Sequence, residues 1–263
     1  MPVFEHLEEC MGTVFVFQGR SSLPEIELNQ ALKTACEKLH EADRIFSLYK
    51  PESPLSKLAR GETSVALCPP AVDAVWNLCE QWESATGGFF SPFTLDRTFD
   101  PSGLVKTWAA QQAIDSLIAA GVTDFSLNSG GDIWLSDYLS ETDDWKVGIA
   151  KPVTIASKDA GVLTVVNLLN TEFRAVATSG SAERGSHIWN PSSGALAESE
   201  LIQVTVLAKD LVTADVWATA CYAEGPNSLN RISKVNGVEA LFVFNDGRID
   251  GTEGFAEVLR GSI

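Results

Sequence analysis

The spacing of hydrophobic and polar positions names most of the elements in this chain. Residues 11–17 are rich in β-branched and aromatic side chains and are bounded by Gly19, which predicts a first strand. Between 24 and 46 apolar residues return at Leu32, Ala35, Leu39, Ala42 and Phe46, the period of an α-helix. A loop covers 47–53, and Ser53 followed by Pro54 opens a short turn with proline at the favoured first position. Pro70 begins another helix, carrying Val72, Val75, Trp76, Cys79 and Trp82 along one side and stopping at Thr86-Gly-Gly88. The stretch 89–103 has no period. A third helix spans 104–120, with Val105, Trp108, Ala109, Gln112 and Leu117 spaced along it and Gly121 at its C-terminal stop.

The second half is richer in strands, at 125–128, 146–150, 161–168, 173–178, 202–208 and 241–244, with one helix at 214–223. Strands and helices do not alternate strictly, so the expected class is α+β rather than a doubly wound parallel sheet. No repeat, low-complexity stretch or linker interrupts the chain, and residues 1–263 read as one domain.

Charge changes this picture. Nineteen basic residues against thirty-five acidic ones give a net charge of -16, which opposes nucleic-acid binding. The same field repels phosphorylated ligands at long range, so a bound nucleotide needs a divalent cation or a local Lys or Arg. The apolar runs are far shorter than the ~20 residues of a membrane-spanning helix. The acidic N-terminus lacks the basic and apolar regions of an export signal, so the expected location is cytoplasmic. Five cysteines, an odd number with no C-x-x-C pair, read as buried free thiols rather than a zinc site or disulfide framework. His6 and His40 are assigned to the surface.

Four segments carry candidate chemistry. Asp215 and Thr219 are four residues apart on a helix, so their oxygens share one face and suit a hard cation such as Mg²⁺. An acid near a helix N-terminus beside a surface threonine is the ordinary alternative. Asp100-Pro-Ser-Gly-Leu-Val-Lys-Thr107 places a glycine turn and Lys106 at a helix start, where backbone N–H groups can meet an anion. A plain loop-to-helix junction has the same composition. Asn128-Ser-Gly-Gly-Asp132 permits close backbone approach to a ligand or makes a simple tight turn. The stretch 177–191 combines small residues with Arg184 and His187, and His187 is a candidate base or phosphate contact. No G-x-S-x-G supports a hydrolase nucleophile.

The order of these segments adds information that none holds alone. Met11-Gly-Thr13, Phe46-Ser-Leu-Tyr49, Leu55-Ser-Lys-Leu58, Thr86-Gly-Gly-Phe-Phe90, 100–109, 128–133, Ala177-Thr-Ser-Gly180, 187–194 and 214–219 form a series that resembles the ApbE family of FAD:protein FMN transferases. The resemblance implies a two-lobed α+β fold with FAD in the cleft between the lobes. It implies Mg²⁺ held by Asp215, Thr219 and the backbone carbonyl of Gly103. The FAD contacts implied are Met11, Tyr49, Phe89, Phe90, Ser91, Asp100, Lys106 and the backbone near Trp189. The implied reaction moves FMN from FAD to a Ser or Thr hydroxyl of an acceptor flavoprotein, with His187 ahead of Asp215 as base. An Mg²⁺-dependent FAD pyrophosphatase and a non-catalytic FAD-binding protein are the alternatives. The chain departs from the family pattern at Ser91, where Asp is usual, and in 100–107, where only Asp100, Gly103 and Lys106 of the usual D-L-G-G-I-A-K-G remain.

Overall fold

The computed structural model describes residues 1–94, 96–136, 146–152, 161–180, 189–190, 195–196 and 200–260. The chain divides into two compact units: one holds Met1–Gly130, and the other holds Gly131–Leu135 and the described residues from Lys146 onward. The mixture of helices with antiparallel strands is the α+β class expected from the sequence.

In the first unit, β1 (Val3–Cys10) and β2 (Thr13–Arg20) form an antiparallel hairpin. Met11 and Gly12 are its two-residue turn, with φ of 54° and 72°. Positive φ at both positions matches the right-handed twist of the flanking strands. The strand expected from residue 11 therefore begins at Thr13, and it runs past Gly19 rather than stopping there. Gly19 is needed inside the strand because a Cβ there would lie 2.2 Å from the carbonyl oxygen of Asp124.

Next come α1 (Glu25–Phe46), α2 (Pro54–Ala59), α3 (Pro70–Ala85) and α4 (Ser102–Ala119). The five apolar positions that predicted α1 are all buried. Ser53 caps α2 by accepting a hydrogen bond from the Ser56 N–H at 3.0 Å. Helices α1 and α4 pack together, and Phe46 meets Trp108 edge-on with ring centroids 5.7 Å apart. Strand β3 (Asp124–Ser129) pairs antiparallel with the other side of β2. Phe15, Phe17, Phe125 and Leu127 from these two strands are fully buried, each contributing about 1.5–3 kcal/mol of transfer free energy.

The second unit begins with β4 (Asp132–Leu135) and the hairpin of β5 (Lys146–Ala150) and β6 (Val162–Asn167). Strand β7 (Ala175–Gly180) follows, then the short pair β8 (Trp189–Asn190) and β9 (Ala195–Leu196), then β10 (Leu201–Ala208). Helix α5 (Leu211–Glu224), helix α6 (Ser228–Ile232), β11 (Val238–Phe244), β12 (Ile249–Gly251) and α7 (Glu253–Arg260) complete it. Strands β4, β7, β10, β11 and β12 are neighbours in that order, every pair antiparallel. One apolar cluster joins Val147, Val166, Phe173, Leu207, Leu241 and Phe255.

Helix α5 lies against β7 and β10 and is buried on nearly all sides. Its alanines at 214, 218, 220 and 223 let it sit close to its neighbours. No described helix is long and apolar enough to cross a membrane.

Candidate functional site

Helix α5 begins where Asp210 takes an extended conformation and its side chain accepts from the Thr213 N–H at 2.8 Å and the Thr213 hydroxyl at 2.7 Å. The cap satisfies one of the orphan donors of the first turn and sets the phase of the helix. That phase carries Asp215 and Thr219 to the same face, four residues apart. Asp215 is buried at 8% exposure, which is rare for a carboxylate and costly without polar or cationic company. Thr219 is half-buried, and its Oγ1 lies 3.2 Å from the Ser179 Oγ of β7. Ser179 is itself buried, so it fixes the Thr219 rotamer. Neighbouring Thr178 receives support from a different side: its N–H donates to Asp132 Oδ1 at 3.1 Å, and its hydroxyl is 2.9 Å from that of Thr205.

This cluster of carboxylate and hydroxyl oxygens is a hard donor set. It suits Mg²⁺, which takes one or two carboxylates and completes its shell with waters and phosphate oxygens.

In the first unit the segment from Thr86 to Lys106 organises the remaining candidates. The buried Thr86 hydroxyl donates to the Trp82 carbonyl at 2.8 Å and accepts from the Phe90 N–H at 3.1 Å. Gly87 and Gly88, with φ of 67° and 84°, make the reversal between them. Phe90 is thereby buried, and its ring edge would stand 3.4 Å from a Cβ added at Gly103. Its place is in the packing under the α4 N-terminus. Phe89 is half-buried.

Ser91 donates to Glu83 at 2.7 Å and accepts from the Phe93 N–H at 3.3 Å. The stretch before α4 has no helix or strand among its described residues, as its lack of period implied: Phe93 bridges Phe99, and the Asp100 N–H donates to the Pro92 carbonyl at 2.7 Å. Trp76 packs against both phenylalanines, edge-on to Phe93 at a centroid distance of 5.2 Å and tilted to Phe99 at 4.5 Å. Asp100 accepts from the Ser102 N–H at 3.0 Å, holding open the turn into α4. Gly103 is exposed and Lys106 is half-buried.

The structure thus brings Asp215 and Thr219 together in one unit, and Phe90, Ser91, Asp100 and Gly103 onto one continuous segment of the other. Met11 occupies the β1–β2 turn. Tyr49 is 98% exposed, beside the loop that leads to α2. Trp189 contributes backbone to β8, paired with Leu196. His187 and Arg184 lie outside the described residues. Sequence reasoning missed Ser179 and Asp210. Asp210 had a visible signal, a cap residue three positions before Thr213, whereas Ser179 is brought to Thr219 only by tertiary packing.

The ApbE family model matches residues 93–242. A Vibrio cholerae protein named FAD:protein FMN transferase is 26% identical over 171 residues, covering 62% of this chain and 48% of the relative. A Treponema pallidum protein of the same name is 27% identical over 178 residues, covering 61% and 48%. The chain thus matches about half the length of these curated relatives. Among solved structures, the flavin transferase ApbE from Vibrio cholerae superposes with a TM-score of 0.81 at 19% identity, over 98% of this chain and 100% of that one. The apo flavinyl transferase ApbE of Pseudomonas stutzeri gives 0.80 at 21% identity, over 100% and 98%. At these identities the structural likeness speaks to the fold, and the family match covers more than half of the residues: the chain belongs to the ApbE family.

Proposed function

We propose that this chain transfers the FMN portion of FAD to a Ser or Thr hydroxyl of an acceptor flavoprotein and releases AMP, with residues 1–263 acting as one ApbE-like domain. The observation that carries the reading is the buried carboxylate of Asp215 sharing a helix face with the Ser179-held hydroxyl of Thr219. Family membership and the names of the curated relatives support it.

Asp215, Thr219 and the backbone carbonyl of Gly103 would hold Mg²⁺. When bound, the cation offsets the diphosphate charge that a molecule of net charge -16 otherwise repels, and it stabilises the leaving AMP. Lys106 adds a positive charge for phosphate. The turn at Met11, the Phe89–Ser91 backbone, Asp100, Tyr49 and the backbone at Trp189 would position the flavin nucleotide.

The acceptor Oγ attacks the phosphorus on the riboflavin side. A new P–O bond forms to the acceptor as the diphosphate P–O bond breaks, and AMP departs with the electron pair. His187 receives the hydroxyl proton. As a metal ligand Asp215 would be the weaker base, because coordination lowers the basicity of a carboxylate.

The test is incubation of the purified protein with FAD, Mg²⁺ and a candidate acceptor, followed by in-gel flavin fluorescence and AMP release. Fluorescence on the acceptor that disappears with Asp215→Ala supports the proposal. Undiminished transfer by Asp215→Ala overturns the metal assignment. AMP and free FMN in equal amounts, with no labelled acceptor, would instead identify a pyrophosphatase.

A further inference from the structure

The first unit contains a second constellation of chemistry-bearing side chains, built from soft and borderline donors instead of hard oxygens. Strand β1 turns His6, Glu8 and Cys10 to one face by its period of two. Helix α1 presents Cys36 and His40, four residues apart, to that face. Two of the three histidines and two of the five cysteines therefore meet around one carboxylate.

The distances converge. Cys36 Sγ is 3.3 Å from His6 Nε2, and the same nitrogen is 3.3 Å from Glu8 Oε2. All three donor atoms lie within 4.8 Å of one another. The other oxygen of Glu8 is 2.8 Å from His40 Nε2, and His40 Nδ1 faces Cys10 Sγ at 3.5 Å.

A single imidazole nitrogen carries at most one proton, so it cannot serve a thiol and a carboxylate equally well. A cation at the shared point serves all three. Tetrahedral zinc, with bonds of about 2.0–2.3 Å, sets its ligand atoms about 3.3–3.8 Å apart, the spacing that two of these contacts already have. His6 is 36% exposed and Glu8 23%, so the point is reachable from solvent, while Cys36 is buried.

We propose that His6, Glu8 and Cys36 bind Zn²⁺, that His40 orients Glu8 through its far oxygen, and that the cation ties β1 to α1. A thiolate with an imidazole selects a transition metal over Mg²⁺, so this site is chemically separate from the Asp215–Thr219 pair.

The experiment is titration of the chelator-treated full chain with Co²⁺, followed by competition with Zn²⁺. One equivalent of Co²⁺ should produce thiolate-to-metal charge-transfer absorption, which Zn²⁺ abolishes. Cys36→Ser should remove the band and weaken Zn²⁺ binding about 100-fold or more, and His40→Gln should weaken it about 10-fold. His6→Ala provides the same readout should Cys36→Ser fail to fold. Absence of the band in the wild-type protein, or a band unchanged by Cys36→Ser or His6→Ala, would overturn the proposal.

Discussion

Replacing Asp210 with alanine tests whether the N-terminal cap of α5 sets the geometry of the candidate site. The side chain accepts two hydrogen bonds, from the Thr213 N–H and the Thr213 hydroxyl. Loss of a helix cap costs about 0.5–2 kcal/mol. Loss of the negative charge at the helix N-terminus adds about 0.3–1 kcal/mol. Thr213 is only half-buried, so water recovers part of the lost bonding, and the net loss should be about 1–2 kcal/mol. For a protein of this size that corresponds to a fall in midpoint of about 2–8 °C by calorimetry. Asp210→Asn keeps the acceptor without the charge and should recover more than half of the loss. Asp215 and Thr219 lie one and two turns beyond the cap, so Mg²⁺-dependent FAD binding should weaken along with stability. An Asp210→Ala protein with an unchanged midpoint, or a destabilised one that binds FAD and Mg²⁺ normally, would refute this reasoning.

Three further outcomes are expected. Gly19→Ala should cost more than about 3 kcal/mol or prevent soluble expression, because its Cβ would sit 2.2 Å from the Asp124 oxygen and 2.6 Å from the Phe125 Cβ; denaturant midpoints check it. Thr219→Val should lower apparent Mg²⁺ affinity by about 10–100-fold in FAD titrations while costing only about 1 kcal/mol of stability, with Thr219→Ser close to wild type. Burial pushes the Cys79 and Cys221 thiols from the ordinary 9.0 up to about 12. A pKa raised on folding means that the native state holds protons which the unfolded chain loses. Stability is then full below about pH 9 and falls as pH rises towards 12, a loss that Cys79→Ala with Cys221→Ala should reduce in urea midpoints compared between pH 8 and pH 11.

What the sequence revealed depended on how far each signal extends along the chain. Helix α1 was legible because its apolar stripe is long and regular. The Asp215–Thr219 pairing was legible because both residues lie on one helix, where spacing alone fixes the face. Strand β1 was not, because its inward face carries His6, Glu8 and Cys10 in place of an apolar alternation. For the same reason the sequence alone places His6 at the surface, although it is half-buried against Cys36. Met11 and Gly12 read as part of a strand because their composition hides the positive φ that makes them a turn. The stretch before α4 has no local period because tertiary contacts hold it, among them Trp76 packing against Phe93 and Phe99. The Ser179–Thr219 contact joins residues 40 apart in sequence, beyond the reach of any local period.

A crystal of this protein grown with FAD and Mn²⁺ in place of Mg²⁺ is the most direct examination of the site. Anomalous scattering should locate one cation about 2.0–2.3 Å from oxygens of both Asp215 and Thr219, and coordinated by the FAD diphosphate. A cation bound to the diphosphate with neither of those side chains as a ligand, or FAD seated elsewhere on the molecule, would contradict the assignment.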